Sequence, residues 1–278
     1  MVEVEVEGGS TLFPIDYFGK KIYMTQSSQF YLEACLPSLG NVFCIHPSFR
    51  AEASKTSRHL SEFTHVEGEL GFIQFDDLLR HIENLVKYVY QALMTDTKTR
   101  EILKKLNPDL HLDDRPFIRM SYADAIKACN DFGIHSEVTG EPLAVGDDMT
   151  DAVERALVER LGHPVFVTGF PPGMKAFYMS RSEHNREETE SVDLLMPAVG
   201  ETVGGSMRIM DHQELMDSYQ KNGLKPEPYY WYNDQRRYGT VSHGGYGLGL
   251  ERLVRWLTNS KSVRDCTCFP RYFKRSSP

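Results

Sequence analysis

The chain has 278 residues, 41% hydrophobic and 25% charged, with a formal net charge of -8. This is ordinary globular composition, ample for the core of one large or two modest domains. The acidic balance excludes nucleic-acid binding through overall basicity, while a local basic groove stays possible. The five cysteines are odd in number and scattered, and the one-residue gap between Cys266 and Cys268 does not fit common zinc spacing, so reduced thiols in a cytosolic compartment are expected. No apolar run reaches membrane length, and "MVEVEVEGG" is acidic where a signal peptide is basic.

In chain order, strand-like segments come first, at Leu12–Phe18, Lys20–Met24, Phe43–Phe49 and Phe63–Leu70. An amphipathic helix is expected from Asp76 to Met94, with Leu78, Ile82, Leu85, Val86, Val89 and Leu93 on one face. "SYAD" (Ser121–Asp124) and "DHQE" (Asp211–Glu214) each place an acid three residues after a capping side chain, which marks a helix start. Thr150 to Leu161 is a further amphipathic helix. Strands return at Pro164–Phe170, Ala176–Ser180, Ser191–Met196 and Val203–Ile209. Strands and helices cluster without regular βα alternation, which predicts an α+β fold with an antiparallel β-sheet flanked by helices.

The last element raises the sharpest question. "HGGYGLGLERLVRWL" (His243–Leu257) has Gly244, Gly245, Gly247 and Gly249 ahead of a stripe of Leu250, Leu253, Val254 and Leu257, with Arg252 just inside the helix. Such a cluster needs special dihedrals or something large lying on the main chain. A bound anion beside Arg252 is one solution; a glycine-rich turn before a core helix is the other. No Rossmann or P-loop context surrounds it.

Two further stretches carry polar groups. In "SFRAEASKTSRHLSEFTHVEGEL" (Ser48–Leu70), Arg50 and Glu52 are two apart on an expected strand and so share a face, as do Glu67 and Glu69 on the returning strand. With Phe63 they could grip a phosphate, an amino-purine edge and a base face, or form a solvated hairpin with weak ion pairs. "SVDLLMPAVGETVGGSMRI" (Ser191–Ile209) brings Asp193, Glu201 and Arg208. Carboxylates near a phosphate repel it unless a cation intervenes, which suggests Mg²⁺; alternatively Asp193 pairs with an arginine. Among the histidines, only His59 sits with these groups. No HExxH, EF-hand or nucleophile elbow is present.

"SFRAE…RHLSEF" and "GGYGLGLERLVRWL" resemble motifs 2 and 3 of class II aminoacyl-tRNA synthetases. With "EGGSTLF", "TQSSQFYLE", "SVDLLMPAVGETVGGSMRI" and the "PYYWYNDQRRYG" helix, the chain resembles the asparaginyl-tRNA synthetase family along its whole length. The resemblance implies ATP-dependent activation of L-asparagine and transfer to tRNA(Asn), with catalytic roles for Arg50 and Arg252. ATP would be bound by Arg50, Glu52, Arg58, His59, Leu60, Phe63, Glu201, Gly249 and Arg252. Arg50 would hold the α-phosphate, Glu52 the adenine edge and Phe63 its face, while Arg252 would reach the γ-phosphate. Arg58 and His59 lie in the loop that, in this family, meets phosphates and the tRNA acceptor end. Mg²⁺ would be held by Glu201 helped by Asp193.

Asparagine would be bound by Glu7, Ser27, Gln29, Arg50, Glu67 and Arg208. Leu32 stands where related aspartyl enzymes carry a carboxylate-gripping lysine. Glu67 would accept from the side-chain NH2 and repel aspartate, and Arg208 would donate to the side-chain carbonyl. A single catalytic domain over residues 1–278 is expected, without the anticodon-binding barrel and with most of motif 1 missing. The homodimer of the full-length protein is therefore doubtful for this chain. A stand-alone asparagine synthetase-like paralogue, using aspartate, ATP and ammonia, is the alternative, and a catalytically silent module a third. A cytoplasmic location is expected, with no membrane partner.

Overall fold

Tyr17 and Lys20 pair across a two-residue turn whose members, Phe18 and Gly19, both have positive φ (52° and 83°). That geometry matches the twist of two short strands, β1 (Pro14–Tyr17) and β2 (Lys20–Tyr23), so the first expected strand stops before Phe18. These coordinates belong to a computed structural model describing residues 1–4, 6, 12–54 and 56–277. After the hairpin come α1 (Gln29–Leu39), β3 (Val42–Phe49), β4 (Glu62–Gly71), α2 (Phe75–Thr95), α3 (Thr97–Leu106) and β5 (Ile118–Ser121). Next are α4 (Tyr122–Asp131), α5 (Asp151–Leu161), β6 (Val165–Thr168), β7 (Ser191–Met196) and β8 (Gly200–Met207). The chain continues with α6 (His212–Lys221), α7 (Tyr230–Tyr238), β9 (His243–Gly249) and α8 (Leu250–Thr258).

The α+β class is as expected. β3 to β9 form one seven-stranded sheet in the order β3-β4-β9-β8-β7-β6-β5. It is antiparallel except for the β5–β6 pair, which is parallel because α4 and α5 form the crossover between them. Two capping predictions hold in detail: the Ser121 side chain accepts from Asp124 N at 3.0 Å, and Asp211 accepts from Glu214 N at 2.7 Å. Three others need correction. Ala176–Ser180 is no strand and makes one isolated bridge, Met179 to Arg208. Arg50 and Glu52 lie beyond the end of β3, not on it. The glycine-rich segment is no turn: it is β9 itself, between β4 and β8, and it runs directly into the expected helix, α8, with Gly249 at its N-cap.

Side-chain alternation sorts the sheet into two faces. Leu70, Val192, Leu194, Met196, Val203, Met207, Tyr246 and Leu248 join Leu78, Ile82 and Val86 of α2 and Leu253, Trp256 and Leu257 of α8 in one apolar core. On the other face, Val165, Val167 and Leu195 pack under α4 and α5. An aromatic cluster of Phe30, Phe177, Tyr178, Tyr219, Tyr229 and Tyr232 closes the end nearest α1 and α7. Between these two packed ends the sheet surface is left to polar residues.

The β9 glycines serve that surface. A Cβ on Gly245 would collide with the Glu69 carboxyl and the Gly68 carbonyl oxygen, and one on Gly247 with the His65 ring. On the core face, the Tyr246 ring lies against Gly68, where a Cβ would sit 2.9 Å from it. Gly249 is different: its nearest neighbours would be the Arg252 methylenes at 3.6 Å, an ordinary contact. Gly245→Ala is therefore expected to lose roughly 1–3 kcal/mol by overpacking, read as a drop in Tm of several degrees. Gly249→Ala should melt close to the parent chain; equal melting of the two variants would refute the close-approach account.

Candidate active site

One cleft of about 280 Å³ opens over β4, β8 and β9. Arg50, Glu52, Arg58, His59, Leu60, Phe63, Glu67, Asp193, Glu201, Arg208, Gly249 and Arg252 all line it, together with Ser27 and Gln29. Glu7 lies outside the described residues. Arg50 and Arg252, far apart in sequence, thus share one cleft.

At one end, the Arg50 guanidinium stands 5.4 Å from the centroid of the Phe63 ring, so a charge and an aromatic face border the same space. Glu52 Oε2 is 3.7 Å from His59 Nε2. Arg252, in the first turn of α8, donates from Nη1 to the Glu201 carbonyl at 2.8 Å and to its carboxylate at 3.0 Å. Arg58 is anchored sideways on α5, where Nη1 donates to Glu154 and Nε lies 3.5 Å from Asp151. Glu154 also accepts from the Glu201 backbone N–H at 2.9 Å, tying the Arg58 loop to β8. Burial pushes the Glu154 carboxyl up to about 7 against the pull of Arg58.

The two carboxylates expected at a metal are neighbours. A Cβ on Gly204 would sit 3.3 Å from Glu201 Oε1 and 3.8 Å from Asp193 Oδ1, so both acids crowd over a bare stretch of β8. Burial works against both charges. For Glu201 it is outweighed by Arg252, Arg58 and Lys175, which hold the carboxyl down at about 2. Asp193 stays raised, by burial and by Glu201 itself, although Lys175 Nζ donates to it at 2.6 Å. Asp193 therefore pairs with a lysine, not with the arginine considered from sequence. Among the described residues no three His, Cys, Asp or Glu side chains converge as a metal cage. Two adjacent acids fit a Mg²⁺ that takes its remaining ligands from water and phosphate.

The other end is built around Glu67. Its carboxylate accepts from the Ser27 hydroxyl and from Ser28 N at 2.9 and 3.1 Å, at the N-terminus of α1, where the helix dipole favours an anion. Gln29 opens that helix and donates from Nε2 to Glu33 at 3.0 Å. Leu32 is buried and does not line the cleft. Arg208, beyond the end of β8, donates to Glu69 through Nη2 at 2.5 Å and Nε at 3.4 Å, and to Ser206 at 2.6 Å. Tyr178 stacks its ring 5.3 Å from that guanidinium.

Sequence patterning overlooked His65 and Lys175, and His59 is not the only histidine present. His65 lies on the cleft floor with Ser48 Oγ 3.1 Å from Nδ1, and burial, then Arg50 and Arg252, hold its ring down at about 3. Burial and the same sort of cationic neighbours, Arg252 and Arg58, hold His59 at about 4. The signal was there: His65, Glu67 and Glu69 follow the period of two along β4. Lys175 was hidden by the mistaken strand just after it.

Residues 1–272 match the family model for class II tRNA synthetases (D, K and N). The cytoplasmic asparagine–tRNA ligase of Debaryomyces hansenii is 50% identical over 278 residues, covering 100% of this chain and 50% of that protein. The human cytoplasmic enzyme of the same name is 48% identical with the same coverage. Among solved structures, Entamoeba histolytica asparaginyl-tRNA synthetase in complex with asparaginyl-adenylate matches with a TM-score of 0.93 and 50% identity, over 100% of this chain and 63% of that one. The chain spans about half the length of the curated relatives it matches. These relatives carry the ligase name and lend nothing to the asparagine synthetase-like alternative. By the family model and by identity over its whole length, this chain belongs to the class II tRNA synthetases of the D, K and N group.

Proposed function

We propose that the cleft activates L-asparagine with ATP to form asparaginyl-adenylate and passes the asparaginyl group to tRNA(Asn). The observation that carries this is the meeting of Arg50 and Arg252 with Glu67 and Arg208 in one cleft. A relative alike over the full chain was solved with asparaginyl-adenylate. The asparagine carboxylate attacks the α-phosphate in line and displaces pyrophosphate; a terminal ribose hydroxyl of the tRNA then takes the asparaginyl group. No side chain need act as a covalent nucleophile. Arg50 would bear on the α-phosphate and substrate carboxylate, Phe63 on the adenine face, Glu52 on its edge, and Arg252 on the γ-phosphate. His59, Leu60, Arg58 and Gly249 would complete the ATP site. Catalysis is then positioning and charge stabilisation.

Glu201 with Asp193 would hold Mg²⁺, which supplies positive charge to the phosphate oxygens. Ser27 and Gln29 would lie against the amino acid, with Glu67 accepting from its amide NH2 and Arg208 donating to its carbonyl. An aspartate carboxylate in that place would face Glu67. The tRNA acceptor end would meet the Arg58–His59 loop, two copies of the full-length protein would pair, and the compartment would be the cytoplasm.

Two outcomes test this, and a third tests the electrostatics of the cleft floor. Arg252→Ala should lower asparagine-dependent pyrophosphate exchange by roughly 10²–10³-fold, the size expected for one lost charge-stabilising donor; exchange within a few-fold of the parent chain would contradict the assignment. Glu67→Gln removes the charge that rejects a carboxylate, so exchange driven by aspartate should rise relative to asparagine by about tenfold or more. An unchanged ratio would remove Glu67 from the specificity site. The third outcome concerns acid. His65 titrates near 3 in the fold against 6.5 in the unfolded chain, so it contributes stability above pH 6.5 that is lost as pH falls through that window. His65→Asn should move the acid-unfolding midpoint, followed by fluorescence, to lower pH; a midpoint that stays put refutes the buried neutral ring.

A further inference from the structure

Behind the amino-acid end of the cleft, and outside its lining, lies a second polar layer centred on Glu33 of α1. Its side chain is fully buried. Oε2 accepts from Arg236 of α7 at 2.5 Å and lies 2.9 Å from His243 Nε2 at the start of β9. Oε1 accepts from Gln29 at 3.0 Å and from the Tyr232 hydroxyl at 3.3 Å, and stands 3.8 Å from Arg208 Nε. Burial alone would raise this carboxyl; Arg236, His243 and Arg208 overcome it and keep it ionised. A buried carboxylate with that many partners fixes their geometry, and its charge acts over short distances in a poorly screened interior.

Two arginines and two acids make up this layer, and burial together with the Glu33 charge pushes the Glu69 carboxyl up to about 7 against the pull of Arg208, so Glu33 is the firmer of the two negative charges. Arg208 meets Glu69, and Arg236 meets Glu33. We propose that Glu33, without touching substrate, is a positioning and specificity residue: it holds Gln29 and offsets the positive charge behind Arg208, so that the subsite favours a neutral amide over a carboxylate. Without the Glu33 charge, Arg208 and Arg236 together would make the subsite more positive and draw aspartate in. Leu32 and Glu67 would then be only the visible part of the discrimination, with Glu33 setting the field behind them. The inference rests on the asparagine reading of the cleft.

The test compares binding and pyrophosphate exchange with asparagine and with aspartate, each with ATP and Mg²⁺, for the parent chain and three variants. Glu33→Gln should lower the preference for asparagine by roughly five- to tenfold, about one unit of logarithmic affinity at most. Arg236→Met leaves Arg208 as the one guanidinium facing Glu33, strengthening its pull there, and should shift the preference the other way. The double variant E33Q/R236M removes a neutral pair and should return the preference close to that of the parent chain. A general packing defect would weaken both amino acids alike and would not yield opposite shifts. If Glu33→Gln fails to fold, the Arg236→Met and double variants decide. Preferences within about twofold of the parent in the single variants, or a double variant that keeps the Glu33→Gln preference, overturn the proposal. A parent chain that neither binds nor activates asparagine instead overturns the asparagine reading, and this inference with it.

Discussion

The bareness of one strand governs how the rest of this molecule is arranged. β9 runs through the middle of the sheet, and where it passes under Glu69 and His65 it has no side chain to push them away. Those two side chains can then lie along the sheet, which keeps the floor of the cleft low and brings the Glu69 carboxyl within reach of Arg208, just past the end of β8 on the far side of β9. On the opposite face the bare position Gly68 accepts the flat Tyr246 ring, whose hydroxyl lies 3.4 Å from His81 of α2. A polar floor and an apolar underside are thus built from a single run of residues. Glycine in a strand costs entropy and packing, and here the return is access of large side chains to the backbone.

Charge in the cleft is organised as pairs. Arg252 with Glu201, Lys175 with Asp193, Arg58 with Glu154 and Arg208 with Glu69 each join a cation to an acid. This is how a chain with a net charge of -8 can present several cations to an anionic ligand. On the proposed reading, a triphosphate entering the cleft would compete with carboxylates for the same guanidinium groups. Glu201, parted from Arg252, and the adjacent Asp193 would then repel the phosphates and each other, and a divalent cation would relieve both repulsions. Binding in such a site is an exchange of partners, and the pairs keep the cations in place until it happens.

The α+β class, the helix caps at Ser121 and Asp211 and the polar stretches that make the cleft were legible in the sequence because each depends on short-range periodicity or on motifs of fixed spacing. What stayed hidden depends on distant segments. α1 contains Pro37 and a mixed surface, and its helical state is secured by packing of Phe30 among aromatic rings from two other parts of the chain. "AFYMS" has strand-like composition, yet Phe177 and Tyr178 are taken up by that same cluster. The β9 glycines suggested a turn because local statistics do not register that Glu69 and His65, far earlier in the chain, come to rest on them. Glu33 gave no signal at all: a lone acid in a helix becomes a hub only once Arg236 and His243 arrive.

The strand order has a further consequence for how the chain reaches this state. Among the described strands β9 comes last in sequence, yet it lies in the sheet between the β3–β4 hairpin and the strands β5 to β8. During synthesis both halves would wait with open inner edges, β4 on one side and β8 on the other, until β9 emerged. Such edges invite pairing with other nascent chains. Translation speed and chaperone occupancy over the stretch between β8 and β9 would then set how long those edges stay open.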